Sequence, residues 1–381
     1  MVPIRRKFQF HLLLALLVGA ILTFPSLGLV QPAFSQAKPA WQERWEKVLA
    51  EAKKEGQVAV WGPPGTLIRQ YVVDGFTKAF PQIAIDWQGG RSAAQAQKMD
   101  GERRGGLYSV DILLTGTTTA LTVHKPRGYI DPVKPAPILP EVTDPKHWSN
   151  NTIEFADESG HSLVFINFVL PRLAYDPSQV KPEEVDELYK VLAPKWKGKI
   201  VLYDLVPAGA GQAFARWIWA KLGPEEGAKY LRALRAQAGA VSRETRTMLE
   251  WVASGKYAIA MNPDIEPLEQ LLKLGLKIGV QGEFKDYGSE ITPAAGNLVL
   301  ANKAPHPNAA MVFINWFLGK EGQTAWSTAV GQASRRLDVP TNHLPAYTLP
   351  KPGRKYDRLY FEKDVKAPPE MEKLLKELFG G

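Results

Sequence analysis

The sequence has no cysteine. That excludes disulfides, thiol catalysis, Cys-ligated zinc and a lipid-modified N-terminal cysteine. Histidine is scarce: His11, His124, His147, His161, His306 and His343 are the only six, and no pair has metal-binding spacing. There is no Gly-x-Ser-x-Gly elbow and no Gly-x-x-x-x-Gly-Lys-Ser/Thr phosphate loop. Gly-x-Gly occurs as Gly209-Ala210-Gly211, without the rest of a dinucleotide fingerprint. These absences argue against an enzyme, and no cofactor is expected. Long apolar runs are also lacking after the first, Leu12 to Phe24, which Pro25 and Ser26 interrupt. A spanning helix needs about 20 apolar residues, so no membrane span is expected. The formal charge is +8, but basic residues alternate with acidic ones, as in Glu51-Ala52-Lys53-Lys54-Glu55. No basic block or RNA-type aromatic motif marks a nucleic-acid partner.

What is present begins at the N-terminus. Arg5, Arg6 and Lys7 precede the apolar run, and Ala33-Phe34-Ser35 and Ser35-Gln36-Ala37 each fit a small-x-small cleavage pattern. Residues 1–37 therefore read as a cleaved signal peptide, which implies a periplasmic location. An uncleaved anchor is the rival, and the paired arginines loosely match a twin-arginine start. Removing Arg5, Arg6 and Lys7 leaves a charge of about +5, a mild bias towards anionic ligands.

The remaining chain is long enough for two domains. Trp41 to Glu55 has helical spacing and Gly56 ends it. Strands are expected over Gln57–Trp61, Ile83–Trp87 and Val110–Thr115. Each is followed by a Gly-, Ser- or Thr-rich loop and a helix. This βαβ repetition implies a parallel sheet whose strand-end loops gather at one edge. Helix N-termini there offer free N–H groups to acceptor atoms. The Pro-rich stretch 131–145 is expected to be an irregular surface path, and Ser162–Phe168 strand-like. A second α/β block follows. Its strands are expected at Lys199–Tyr203, Tyr257–Met261 and Leu276–Val280. Its helices are expected at Gln212–Lys221 and Glu225–Gln237. Leu298–Leu300 is a further strand. Asn308–Leu318 and Glu370–Phe379 are helices, and the Pro-rich tail 340–366 wraps the surface.

Several stretches resemble a known family. They are Glu51-Ala52-Lys53-Lys54-Glu55-Gly56, Leu173-Ala174-Tyr175-Asp176 and Pro194-Lys195-Trp196-Lys197-Gly198-Lys199-Ile200. His306-Pro307-Asn308-Ala309-Ala310 running on to Phe313-Ile314-Asn315-Trp316, and Gly319-Lys320-Glu321-Gly322-Gln323, complete the set. Together they are similar to periplasmic solute-binding proteins of ABC importers, in the type 2 branch that includes ferric-ion-binding and thiamine-binding proteins. The resemblance covers roughly residues 45–340. It implies a two-lobed α/β fold in which each lobe is a mostly parallel sheet flanked by helices. It also implies hinge closure on a small solute and delivery to an inner-membrane permease. Lobe one would comprise 38–157 and 277–325, and lobe two 158–276 and 326–381. A monomer is expected.

Ferric relatives hold iron with adjacent tyrosines after the strand that corresponds to Tyr257–Met261. Here that place reads Asn262-Pro263-Asp264, and Tyr-Tyr occurs nowhere. No metal ligand set is assigned, because ferric ion wants several anionic oxygens. A small organic anion or a metal–anion complex is the leading solute class. The alternatives are a cationic solute of polyamine or thiamine type, held by Asp204 and Asp264, and direct ferric binding. An exported enzyme and a ligand-sensing subunit on the same scaffold are rivals from other classes. The expected ligand contacts are Gly62, Pro63 and Gly65 in the first loop, Arg91 and Ser92 in the second, and Thr115, Gly116 and Thr117 in the third. Asp204, Gly209, Asn262 and Asp264 come from lobe two. Each has a plainer reading. Gly and Pro are ordinary turn residues, and Arg91 suits an exposed helix start. Asp111 reads as a cap, His306 as a turn residue, and Arg335-Arg336 as structural partners of Asp338.

Overall fold

The computed structural model describes residues 38–207 and 210–380. The expected signal peptide at 1–37 and the candidate Gly209 lie outside the described residues. Among the described residues, no helix is long and apolar enough to cross a membrane.

The three strand–loop–helix repeats form as read. Gln57–Gly62 lies between Ala84–Gly89 and Ile112–Thr115 and runs parallel to both. Their helices are Thr66–Ala79, with a π-helical stretch at Arg69–Val73, then Ser92–Arg104, then Thr117–Thr119 continuing through Ala120–His124. Asn297–Ala301 extends this sheet antiparallel to Ile112–Thr115. Leu163–Val164 and Glu154–Phe155 continue it, and Ile130–Asp131 also pairs with Asn297–Ala301. The sheet is thus mixed. Its parallel half comes from the βαβ crossovers, and a strand arriving from elsewhere in the chain is free of that constraint.

Side-chain alternation puts this sheet's two faces into separate cores. Val58, Val60, Ile112 and Leu114 meet Phe76, Phe313 and Phe317 on one face. Trp61, Leu113 and Val299 meet Met99, Leu121 and Tyr360 on the other. Burying a side chain such as the inaccessible Phe76 contributes about 1.5–3 kcal/mol.

The second sheet has the order Ala238–Ser242, Ile200–Tyr203, Ile259–Met261, Leu173–Tyr175, Gly279–Gln281. Its first three strands are parallel and the last two pairings antiparallel. Gly279–Gln281 therefore bonds into the second sheet, although it begins the segment 277–325 assigned from sequence to lobe one. The chain crosses between the sheets after Leu163–Val164 and again before Asn297–Ala301. The crossing segments Phe168–Val169 and Ile291–Thr292 pair with each other as a small antiparallel ribbon.

The helix Ala210–Gln237 contains a break at Gly223, whose φ of 78° only glycine adopts readily, followed by Pro224. This separates the two helices read from the sequence. The stretch 131–145 departs from expectation. Val133, Ala136, Ile138 and Val142 are buried in the first core rather than lying on the surface. One buried side chain explains how a Pro-rich path is held there. Asn315 Oδ1 accepts from Ile138 N at 2.7 Å and Leu139 N at 3.0 Å, while its Nδ2 donates to Ala136 O at 3.0 Å.

The tail also departs from a surface wrap. Tyr360 and Val365 enter the core of the first sheet. Ala367, Met371, Leu374 and Leu375 enter that of the second. Between them, Asp357 accepts from Ile291 N at 2.9 Å and from Trp217 Nε1 at 3.0 Å. Residues 357–379 form a strap that passes the crossing ribbon, enters the first lobe and ends in the second.

Candidate ligand cleft

The three strand-end loops of the first lobe are tied together by hydrogen bonds. Gly62 O accepts from Gly90 N and from Gln95 Nε2, both at 2.8 Å, joining the first loop to the second. A Cβ at Gly62 would collide with the Trp87 ring, so the position requires glycine. Pro63 is half-buried and Gly65 exposed. Gly116 N donates to Ser92 Oγ at 3.3 Å, joining the second loop to the third. Thr115 and Thr117 are almost wholly buried, and neither hydroxyl has a protein partner.

The second lobe supplies the facing wall. Asp204 is committed: it accepts from Arg243 Nε at 2.6 Å and from Val206 N at 3.0 Å. Asn262 takes a left-handed backbone, φ 57°, which Asn tolerates better than most residues. Its N donates to Arg172 O at 2.9 Å and its Nδ2 to Ala210 O at 3.2 Å, leaving Oδ1 buried without a protein partner. Asp264 precedes the helix Ile265–Lys273 and accepts from Thr245 Oγ1 at 3.0 Å. Burial raises its carboxyl pKa, against the pull of the Thr245 hydrogen bond and the Arg91 charge. Burial and then Asp264 raise Glu266 in the same way.

Arg91 and Arg216 both reach across the cleft. Arg91 Nη2 lies 3.1 Å from Glu244 Oε2. Both side chains are more than half exposed, and such pairs contribute about 0–1 kcal/mol. Deeper in, Arg216 Nη2 reaches Thr118 Oγ1 at a long 3.4 Å. Arg216 belongs to a buried group. Arg172 Nη1 donates to Glu290 Oε1 at 3.3 Å, and its guanidinium stacks 3.8 Å from the Trp217 ring centre. Burial lowers the pKa of both arginines and raises that of Glu290, although the two guanidiniums oppose the latter. Arg216 Nε, and Nε and Nη2 of Arg172, have no protein partner.

The structure thus brings together Gly62, Ser92, Gly116 and their neighbours on one wall, and Asn262 and Asp264 on the other. Arg172, Arg216 and Thr118 were not singled out from the sequence. A signal was present: Arg216 is the one charge in the run Phe214-Ala215-Arg216-Trp217-Ile218-Trp219. A cation inside an apolar helical run is costly unless something faces it.

Elsewhere the plainer readings hold, except that Arg335 pairs with Glu154 and not with Asp338. Asp111 accepts from Ala59 N and His306 N, each at 2.7 Å, and staples a strand to a helix start. Arg336 pairs with Asp338 at 2.8 Å and Arg335 with Glu154 at 3.1 Å. Two surface depressions lie away from the cleft. One, of about 610 Å³, is lined by Phe80, Leu139 and Trp316. The other lies between Val206 and Leu375. Among the described residues, no group of three or more His, Asp or Glu is placed to hold a metal ion.

Solved structures share this architecture. The iron-bound HitA of Pseudomonas aeruginosa matches with a TM-score of 0.64 at 17% identity, over 84% of this chain and 99% of that one. AfuA of Actinobacillus pleuropneumoniae, with fructose-6-phosphate bound, matches at 0.66 and 14%, over 84% and 97%. The substrate-binding protein of an ABC transporter from Agrobacterium tumefaciens matches at 0.67 and 15%, over 87% and 95%. At these identities the likeness shows the fold alone, the two-lobed type 2 binding-protein fold. No curated protein matches in sequence. Residues 35–348 match the model of the family described as bacterial extracellular solute-binding protein. That span is most of the chain, and the chain belongs to the family of bacterial extracellular solute-binding proteins.

Proposed function

We propose that this protein captures a small anionic solute between its lobes and delivers it to the permease of an ABC importer, without bond chemistry. The observation that carries the reading is Arg216. Its guanidinium is buried, its one cross-cleft bond is long, and its Nε has no protein partner. Thr117, with its unpartnered hydroxyl, lies on the same turn as Thr118, and Thr115, likewise unpartnered, ends the strand just before it. A buried unsatisfied polar group costs about 1–3 kcal/mol, and more when charged. A small anion accepts from all of these groups at once, which turns that cost into affinity. Gly116 and Ser92 border the same place. Either an organic anion or a metal carried in an anionic complex satisfies this chemistry. HitA and AfuA, named above for bound iron and a sugar phosphate, show that the fold accommodates both.

Lobe one is then 38–167 with 293 to about 338, because 158–167 and 326–338, assigned from sequence to lobe two, pair and pack with the first sheet, whereas Phe284 and Tyr287 pack in the second core. Lobe two takes in the rest, and the ribbon Phe168–Val169 with Ile291–Thr292 acts as the hinge. The protein works as a monomer. The test is thermal melting of the purified protein against carboxylates, phosphate and sulfate esters, and ferric citrate. Solute at a hundred times its Kd adds about 2.7 kcal/mol to stability. A matching anion raises the melting temperature, and Arg216→Gln removes the rise. A shift that survives Arg216→Gln, or no shift across the panel, defeats the reading.

A further inference from the structure

We infer that the cleft holds a second subsite, built by Asn262, Asp264 and Glu266, that takes a protonated amine, so that the solute is a small zwitterion. This rests on the anion reading above and names the other end of the same ligand.

The second-lobe rim carries more negative charge than it can pair. Arg91 is the cation that faces it, and it acts on Tyr203, Glu244, Asp264 and Glu266 together. Its ion pair is with Glu244. Arg243, on the same wall, is bound to Asp204. Among the described residues, no lysine or arginine stands within ion-pair distance of Asp264 or Glu266. Asp264 has a neutral donor, Thr245, and Glu266 another, Gln270.

An independent observation marks what is wanted there. Asn262 lies two residues before Asp264 on the same loop and is 2% exposed. Its Nδ2 must face Ala210 O, because a carbonyl oxygen only accepts. That fixes Oδ1 as the unpartnered buried atom, and an amide oxygen calls for an N–H or O–H donor. A carboxylate two residues along the same loop from an unsatisfied amide oxygen suits an ammonium group, which carries three donors and a positive charge. A second oxyanion would be repelled.

The two subsites share their walls. Ala210, which holds the Asn262 amide, begins the helix that carries Arg216. Six residues of helix separate them, about 9 Å at 1.5 Å per residue. On the opposite wall, Arg91 at the acidic rim is followed by Ser92, whose Oγ binds Gly116 N beside Thr117. Helical side chains lean toward the N-terminus, which carries the Arg216 guanidinium back toward Ala210 and shortens the span a zwitterion has to bridge.

Matched probes test this by calorimetry on the intact protein: taurine against ethanesulfonate, β-alanine against propionate, phosphoethanolamine against ethyl phosphate, and ethylamine alone. The amine-bearing member of at least one pair should bind on the order of tenfold more tightly, as for a hydrogen bond to a charged group. Asp264→Asn should remove that advantage, bringing the two members of the pair to the same affinity. Glu266→Gln should reduce it, and serves where Asp264→Asn fails to fold. Equal or tighter binding of the des-amino members, or an advantage indifferent to both substitutions, overturns the zwitterion inference and leaves the anion reading standing. Binding of ethylamine with no gain from an acid group overturns the anion reading itself, as does binding of none of the seven.

Discussion

Arg216 of one lobe donates to Thr118 of the other across 3.4 Å, and this long, buried bond links the two walls of the cleft. A donor held this loosely exchanges one acceptor for another at little cost. Closure on a solute and closure on Thr118 thus use the same guanidinium.

Geometry as well as charge should matter at this position. Lysine keeps the positive charge but loses the planar fork that matches an oxyanion. Arg216→Lys is expected to weaken anion binding by tenfold or more, on the order of 1.4 kcal/mol, with the unliganded melting temperature little changed. Titration calorimetry on the variant decides it. Affinity equal to that of the parent would mean that Arg216 acts as a point charge at a distance.

Glu290 sits between two buried guanidiniums, paired with Arg172 and felt by Arg216. It immediately precedes the crossing strand Ile291–Thr292. Removing one member of a buried pair strands its partner and costs about 3–5 kcal/mol. Glu290→Ala should lose stability of that order in urea unfolding, well beyond an exposed control such as Glu250→Ala. A loss below about 1 kcal/mol would show that the arginines are wet rather than buried.

His124 is inaccessible, and neither ring nitrogen has a protein partner. Burial, then Arg127 and Arg103, hold its pKa down at about 4. The unfolded chain takes up a proton near pH 6.5, which the folded chain refuses until about pH 4. Stability is therefore full above pH 6.5 and falls as the pH drops through that window, by on the order of 3 kcal/mol in all. His124→Phe should flatten this part of the profile. Urea midpoints at pH 7, 5.5 and 4.5 give the answer, and parallel profiles for parent and variant would exclude His124 as the source.

Tyr360 brings the tail into the first lobe. Its hydroxyl donates to Glu154 Oε1 at 2.7 Å, where Arg335 and Arg358 also converge. Burial, with Glu154 adding to it, holds the phenol far above its usual pKa, so it remains protonated as the donor. Tyr360→Phe leaves the ring in place and Glu154 one donor short, at an expected cost of about 1–3 kcal/mol. Chemical denaturation of the variant measures it. An unchanged midpoint would mean that the two arginines satisfy Glu154 alone.

Much of the first wall was legible because it is local. Strand, loop and helix repeat within consecutive residues, so Gly62, Ser92 and Gly116 could be placed at one edge before any contact was known. The second wall depends on pairings that no spacing announces. Asp204 looked as available as Asp264, yet Arg243 occupies it at 2.6 Å. Arg172 and Glu290 are distant in sequence and meet only where the chain crosses between sheets. The path 131–145 misled for a related reason. Proline content removes the chain's own hydrogen bonds, and Asn315, far along the sequence, replaces them. The break at Gly223-Pro224 was readable because its cause lies in those two residues.

The strap has a consequence for the order in which the molecule is made. Tyr360 and Val365 complete one core, and Met371, Leu374 and Leu375 the other. A nascent chain still tethered at the ribosome cannot close either core until residues 360–375 emerge. Exposed apolar surface on both lobes keeps such a chain from settling into its finished form. Both lobes thus share one late fastening, and a version ending at Leu349 should stay protease-sensitive in both halves.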